Sequence, residues 1–317
     1  MLIVLLILMI TGLADGLAYD NGAAVRNLPV EQFALSKDAE GQLTRSFLQA
    51  DETPKDAEAL GVQNMVLEKK NKTKDDVTVF ALPQTTKYGP KQLQSLQKGE
   101  VLVDAAYAEQ RGTRVGDTIT DFRTKETFQI AGTVTDGRYS HAPVLWMTDE
   151  SWQAWQSKMG TSYVSAYIGQ SLQTDQALFS KQTVVENVPG YAAEQNSFQM
   201  MRVALVVIGA LILTAFFYIL TMQKMKQLGV LKAIGIRTRT MGASLLVQVV
   251  ILTSLAFGVS VAITYLTSRF LPPDLPFRFE WSTSLMYGGI LLVTAILGAL
   301  VPLRMVKKLE AADAMGG

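Results

Sequence analysis

Cysteine is absent from the 317 residues and histidine occurs once, at His141. The first absence excludes a disulfide framework, a thiolate zinc site, an iron-sulfur cluster and a cysteine nucleophile. The second confines any Ser-His-Asp triad to one residue and rules out a multi-histidine metal site built from a single chain. Charge is also scarce, at 18% of residues with a formal net charge of +1, and no basic patch interleaved with aromatics occurs, so nucleic acid is not an expected partner. A phosphate-binding GxxxxGK[ST] loop is missing as well, which leaves no nucleotide site to argue for within this chain.

What the sequence has instead is apolar surface in long blocks, with 49% hydrophobic residues and a mean hydropathy of +0.19. Residues 19–197 carry 23 acidic and 18 basic residues and no long apolar run, whereas residues 198–317 carry 11 basic and 4 acidic residues around three uncharged stretches. Those stretches, Val203 to Met222, Met241 to Ser268 and Trp281 to Leu303, each reach the ~20 residues that a helix needs to cross a ~30 Å hydrocarbon core. The start, Met1 to Ala14, is uncharged but shorter, and no Lys or Arg precedes Arg26. A secretory signal would carry a basic region before its apolar core, so residues 1–18 read as a first transmembrane helix with part of its start upstream of Met1. A cleaved leader is the alternative. Lys224, Lys226, Lys232, Arg237 and Arg239 crowd the Gln223 to Thr240 loop without an acid, and Arg304, Lys307 and Lys308 follow the last span. By the excess of positive charge in short cytoplasmic loops, both segments lie inside and residues 19–197 lie outside.

The outer segment reads as mixed α and β. Gly99 to Asp104, Val115 to Thr120 and Thr127 to Val134 are strand-like, Ala105 to Gly112 is a helical turn, and Gly116-Asp117 supplies a tight turn. The resulting fold class is a membrane α-helical protein with four transmembrane helices and an extracytoplasmic α+β domain between helices 1 and 2. Its three parts are residues 1–18, 19–197 and 198–317, the last with a cytoplasmic coupling helix at 223–240. His141, in a polar loop, fits a haem or metal ligand, a proton switch or a plain solvated side chain. Asp51, Glu52, Asp75 and Asp76 read as solvating carboxylates, and the Asn71-Lys-Thr73 sequon is a common chance match.

Directly after the second span, Gln223-Lys-Met-Lys-Gln-Leu-Gly-Val-Leu-Lys-Ala-Ile-Gly235 forms a short helix with spaced apolar positions at Leu228, Leu231 and Ile234. Such a helix suits docking in a partner's groove or lying on lipid headgroups. This segment resembles the coupling-helix signature Glu-Ile-Gly-Ile-Leu-Arg-Ala-Ile-Gly of MacB/FtsX-type ABC transporter permeases, with Gln227 in place of the glutamate. The passages GEVLVD, RVGDTIT and FQIAGTV are similar to the family's periplasmic core domain, and Lys308-Leu-Glu-Ala-Ala-Asp-Ala-Met315 to its ending. Within the family, Phe216-Phe-Tyr-Ile-Leu-Thr-Met-Gln-Lys224 looks closest to the HrtB-type haem exporter permeases.

The resemblance implies a multi-pass permease of the bacterial cell membrane that forms a homodimer and docks a separate ABC ATPase through Lys226, Leu228, Gly229, Leu231, Lys232 and Gly235. No catalytic residue or intrinsic cofactor is expected, since ATP-Mg would sit on the partner. Haem is the substrate it implies, and an apolar pocket with a soft or phenolate ligand and cations for the propionates would serve it. Tyr19, Arg26, Met200, Met201 and Arg202 are the candidate contacts, with Met201 or Met200 on the iron. Each taken singly also fits interfacial packing or headgroup contact. Two other readings of the same family stay open: an FtsX-like mechanotransmitting permease that regulates a cell-wall hydrolase, and an exporter of a peptide, a macrolide or a lipoprotein.

Overall fold

The computed structural model describes residues 1–50, 53–68, 74–135, 137–272 and 275–308, with side chains described as far as residue 300. Asp51, Glu52, the Asn71-Lys-Thr73 sequon, Asp274, the tail after Lys308, and the side chains of Arg304, Lys307 and Lys308 lie outside the described residues. In chain order the elements are α1 (Leu2–Arg26), β1 (Gln32–Leu35), β2 (Glu58–Glu68), β3 (Lys74–Leu82), β4 (Glu100–Asp104), α2 (Ala105–Arg111), β5 (Thr118–Asp121), β6 (Thr127–Val134), β7 (Arg138–Tyr139), β8 (Ala142–Thr148), α3 (Asp149–Lys158), β9 (Ala166–Gly169), β10 (Ala177–Ser180), α4 (Lys181–Glu186), α5 (Tyr191–Gln223), α6 (Met225–Ala233), α7 (Thr238–Phe270) and α8 (Trp281–Lys308). The chain divides into two compact units, residues 17–194 and residues 1–16 with 195 onward.

The second of these units holds the apolar helices. Among the described residues, four helices are long and apolar enough to cross a membrane: α1, α5, α7 and α8. Each 33-residue helix, α5 or α7, is about 50 Å long at ~1.5 Å per residue, well beyond a bilayer's apolar core. Val4, Ile7 and Leu8 of α1 pack with Tyr287 and Leu291 of α8, and Leu205, Val206, Phe257 and Val261 complete the cluster. Several hydroxyls inside these helices bond to their own backbone, as when Thr221 donates to the Phe217 carbonyl at 2.8 Å and Thr264 to that of Ser260 at 2.8 Å, the expected refuge for a polar side chain in lipid, whereas the buried Thr11 and Thr253 hydroxyls have no such partner among the described residues. Glycine lets elements approach closely here. A Cβ on Gly288 would lie 2.4 Å from the Phe257 ring, and one on Gly16 2.2 Å from the Pro276 carbonyl oxygen. The Arg278 amide donates to the Gly12 carbonyl at 2.9 Å. Tyr265, Phe279 and Trp281 meet edge-on or tilted with centroids 5.0 to 6.0 Å apart, an aromatic cluster of the kind that sits at a membrane-water boundary.

The unit at residues 17–194 is built on one sheet in the order β10-β1-β9-β2-β3-β8-β4-β6-β5, with β7 paired to β8. An additional pairing of Leu67 and Glu68 with Asp121 and Thr120 joins β5 back to β2, so β2, β3, β8, β4, β6 and β5 form a closed ring. Closure removes the free edges that would otherwise invite pairing with other chains. Strand residues split by parity. Leu60, Val62, Phe80, Leu82, Leu102, Val144 and Trp146 enter one core with Ala24, Val25, Leu28, Val184 and Val185. Met65, Leu67, Val77, Val79, Val101, Val103, Leu145 and Met147 enter the other with Trp152 and Trp155. Because successive strand residues face opposite sides, a strand buried on both faces reads as an unbroken apolar run, which is how Val144-Leu-Trp-Met147 appears. Asp121 is buried in the ring's wall. Its carboxylate accepts from the Thr124 hydroxyl at 2.7 Å, the Thr124 amide at 3.0 Å and the Trp155 indole at 3.1 Å.

The strands and the helix expected between Gly99 and Val134 are present, and Gly116 takes the left-handed φ of +96° that its turn needs. The ends of two spans differ from the expectation. α1 continues through Asp15, Gly16 and Asp20 to Arg26, bent where Gly22 leaves helical geometry, and α5 begins at Tyr191, ahead of its apolar run.

Candidate functional site

The loop after the second long helix forms α6, set off from its neighbours by Lys224 at its start and by Gly235, whose φ of +93° ends the turn. Its faces divide the expected docking residues. Leu228 and Gly229 are buried, and Leu228 packs with Met225, Ile236, Met241 and Leu245. Leu228 is therefore an internal anchor and not a free apolar contact, because the side chain that fastens a short helix to its own bundle cannot also face a partner. Lys226, Val230, Leu231 and Ile234 are exposed, Ile234 most of all at 71%, and Lys232 is half-buried. An exposed Val-Leu-Ile set on a helix bordered by lysines is a compact apolar knob with a cationic rim, able to enter a groove.

On the first helix, the Tyr19 hydroxyl donates to the Asn27 side chain at 3.4 Å. Arg26 donates to the Ala18 carbonyl at 3.4 Å and to the Tyr191 hydroxyl at 3.3 Å, with its guanidinium 5.9 Å from the Tyr191 ring centroid. On α5, Met200 is 71% exposed, Met201 is less so, and Arg202 is 9% exposed. Arg202 donates through Nη2 to Asp15 Oδ1 at 3.0 Å and lies over the Tyr287 ring at 5.7 Å. The two arginines are thus already engaged, Arg26 with Tyr191 and Arg202 with Asp15. The Asp15 partnership has a sequence signal, since Asp15 ends the apolar run of α1 and Arg202 opens that of α5, and an ionisable pair bordering two spans is a site hypothesis in itself.

His141 occupies a place that a solvated loop residue would not. Ser140 and His141 form the tip of the β7–β8 hairpin with φ of +50° and +62°, a turn geometry that non-glycine side chains adopt at some cost. The tip is held on several sides. The Ser140 amide donates to the Asn21 carbonyl at 2.8 Å and its hydroxyl to the Pro189 carbonyl at 3.0 Å. His141 Nε2 is 2.7 Å from Glu194 Oε1, and the Asn21 amide donates to Glu194 Oε2 at 3.3 Å. Arg138, on the same hairpin, is 4.0 Å from Asp20. One hairpin therefore ties the last turns of α1 to the first turn of α5.

Beside it lies a polar cavity of about 150 Å³ lined by Asp75, Asp76, Tyr107, Arg111, Arg138 and His141, among others. Its groups satisfy one another. Asp75 accepts from the Tyr107 hydroxyl at 3.1 Å and from Arg111 at 2.8 Å. Burial, and then the Asp75 carboxylate beside it, push the Tyr107 phenol well above its ordinary value and keep it a donor. No group of three or more His, Asp or Glu suited to a metal ion occurs among the described residues.

Comparison with known proteins shows what the chain is similar to. Residues 200–311 match the FtsX-like permease C-terminal family. The chain is 29% identical to a protein of Staphylococcus haemolyticus (strain JCSC1435), provisionally named hemin transport system permease protein HrtB, over 98% of this chain and 92% of that one. A protein of the same name from Staphylococcus epidermidis (strain ATCC 12228 / FDA PCI 1200) is 25% identical over 100% of this chain and 93% of that one. Among solved structures, the periplasmic region of MacB from Actinobacillus actinomycetemcomitans aligns at 11% identity, covering 52% of this chain and 97% of that one, with a TM-score of 0.35, too low to bear on function.

Proposed function

We propose, from the premise that this chain is a permease of the MacB/FtsX type, that it exports a hydrophobic substrate, haem first, from the bacterial membrane or cell. ATP would be hydrolysed by a separate subunit seated on α6, with two permease copies completing the transporter. The observation that carries the substrate is the similarity along 98% of the chain to a protein named for hemin transport. The observation that supports the partner is the exposed Val230, Leu231 and Ile234 set on a cytoplasmic helix. Rigid attachment of such a helix to a span would let closure of an ATPase pair shift the bundle as a body.

The substrate roles follow from chemistry. Met201 or Met200 would supply a soft axial sulfur, Arg26 and Arg202 the cations for propionates, and Tyr19 a phenolic contact. Titrating the purified permease with haem should give a saturable Soret shift. Met201→Ala should then move the band, and Arg26→Ala should weaken affinity with little spectral change. The FtsX-like regulator of a cell-wall hydrolase is the second reading, favoured by a family match that covers the membrane part alone, residues 200–311. Absence of a saturable shift, together with a stable complex between the permease and a hydrolase, would establish that reading in place of export.

A further inference from the structure

Arg202 and Asp15 form an incomplete pair. A guanidinium and a carboxylate in low dielectric ordinarily meet fork to fork, with two parallel hydrogen bonds. Here Nη2 to Oδ1 is the bond formed, and both Arg202 Nε and Asp15 Oδ2 are buried without a hydrogen-bond partner. Leaving such groups unmade costs free energy on both sides. The arginine itself is fixed, nine-tenths buried and backed by the Tyr287 ring. The carboxylate is fixed differently: Gly16, next to it, abuts the Pro276 backbone, and Gly12, one helical turn earlier, abuts the Phe277 ring. Asp15 cannot readily advance to complete the fork, because α1 is already in contact with the segment before α8.

The geometry points to Arg202 as a carboxylate-receiving site that Asp15 keeps occupied as an internal counter-ion until an amphipathic carboxylate replaces it. A free acid group has no helix to restrain it and can use both Nε and Nη2. The incoming carboxylate takes the place of the departing one, so the buried guanidinium is never left without an anion, and the Asp15 carboxylate that gives way loses its counter-ion in return. Apolar residues begin immediately after Arg202, with Val203 and Val207 each 53% exposed on α5, so a ligand whose acid sits at Arg202 can lay its apolar body along that face. The inference rests on the substrate reading only in supposing that the cargo bears a carboxylate, as haem does in its propionates.

The test compares acids with their esters on the purified full-length permease. Protoporphyrin IX and its dimethyl ester form one pair of probes, and dodecanoate and methyl dodecanoate the other. Asp15→Asn, which keeps shape and removes the competing charge, should raise the acid-to-ester affinity ratio about tenfold, the scale of one charge-assisted hydrogen bond. The neutral double variant Asp15→Asn/Arg202→Gln, which leaves no unpaired buried charge, should bring the ratio close to one. An unchanged ratio in both variants overturns the exchange. If no porphyrin binds and Asp15→Asn still strengthens dodecanoate over its ester, the haem reading falls and the exchange stands. If porphyrin binds with a ratio unmoved by either variant, the exchange falls and the haem reading stands.

Discussion

Gly288 and Gly289 are neighbours on α8 with opposite surroundings. A Cβ on Gly288 would meet the Phe257 ring at 2.4 Å, whereas one on Gly289 would have nothing within 4 Å. Gly288→Ala should therefore lower stability by about 1–3 kcal/mol, the usual scale of overpacking. Gly289→Ala should be neutral or slightly stabilising through helix propensity, and thermal unfolding of both variants in one detergent compares them directly. Asp121 gives a prediction of a different kind. Burial by itself would raise its pKa, but hydrogen bonds from Thr124, Trp155 and Arg123 outweigh burial and hold the carboxyl below its ordinary value. A carboxyl depressed in the folded state contributes stability that is present above its unfolded pKa of ~3.9 and lost as pH falls through the folded value. Melting temperature of the full chain should thus drop below about pH 4 in step with Asp121 protonation. Asp121→Asn should lower stability at neutral pH and flatten that dependence, with fluorescence of buried Trp155 as the reporter.

At the level of elements, α6 separates packing from docking within a few residues. Leu231→Asp places its charge on the exposed side and should abolish stimulation of the proposed ATPase partner while the chain purifies and melts as before. Leu228→Asp buries an unpaired carboxylate against Met241 and should destabilise the bundle itself, since such burial without a partner is strongly unfavourable. A melt and an ATPase assay on each variant separate the two effects. The sequence made α6 legible because its glycines and lysines bracket it, but helical spacing alone could not say which of Leu228, Leu231 and Ile234 faces inward. The four spans were legible from hydropathy, their ends were not. α1 carries on past residue 18, the expected end of the first span, to Arg26, and α5 starts at Tyr191, whose ring packs against the outer domain's core. Packing, not hydropathy, sets those ends. The local strands between Gly99 and Val134 could be read from alternation and turns. The ring could not, because the β2–β5 pairing that closes it joins residues more than fifty positions apart. The His141–Glu194 contact escaped the sequence for the same reason, whereas the Asp15–Arg202 pair was marked by two ionisable residues that border apolar runs.

For the molecule as a whole, the absence of cysteine permits an unambiguous topology experiment. Val115 is 64% exposed on the outer domain and Thr240 is exposed at the start of α7. In intact cells an impermeant thiol reagent should label Val115→Cys and spare Thr240→Cys until the membrane is opened. The reverse pattern would invert the arrangement.

The hairpin at Ser140 and His141 carries a consequence for how such a molecule can be rebuilt. It joins Asn21 and Glu194 through a shared set of hydrogen bonds, so the chain's way into the outer domain and its way out are side by side. A domain with adjacent ends is, for whatever it is inserted into, equivalent to a short loop. It can be exchanged for another domain with similarly adjacent ends, and the helices on either side need not change to accept it. Recombination could thus alter what the domain between the first two long helices meets while leaving those helices and α6 untouched.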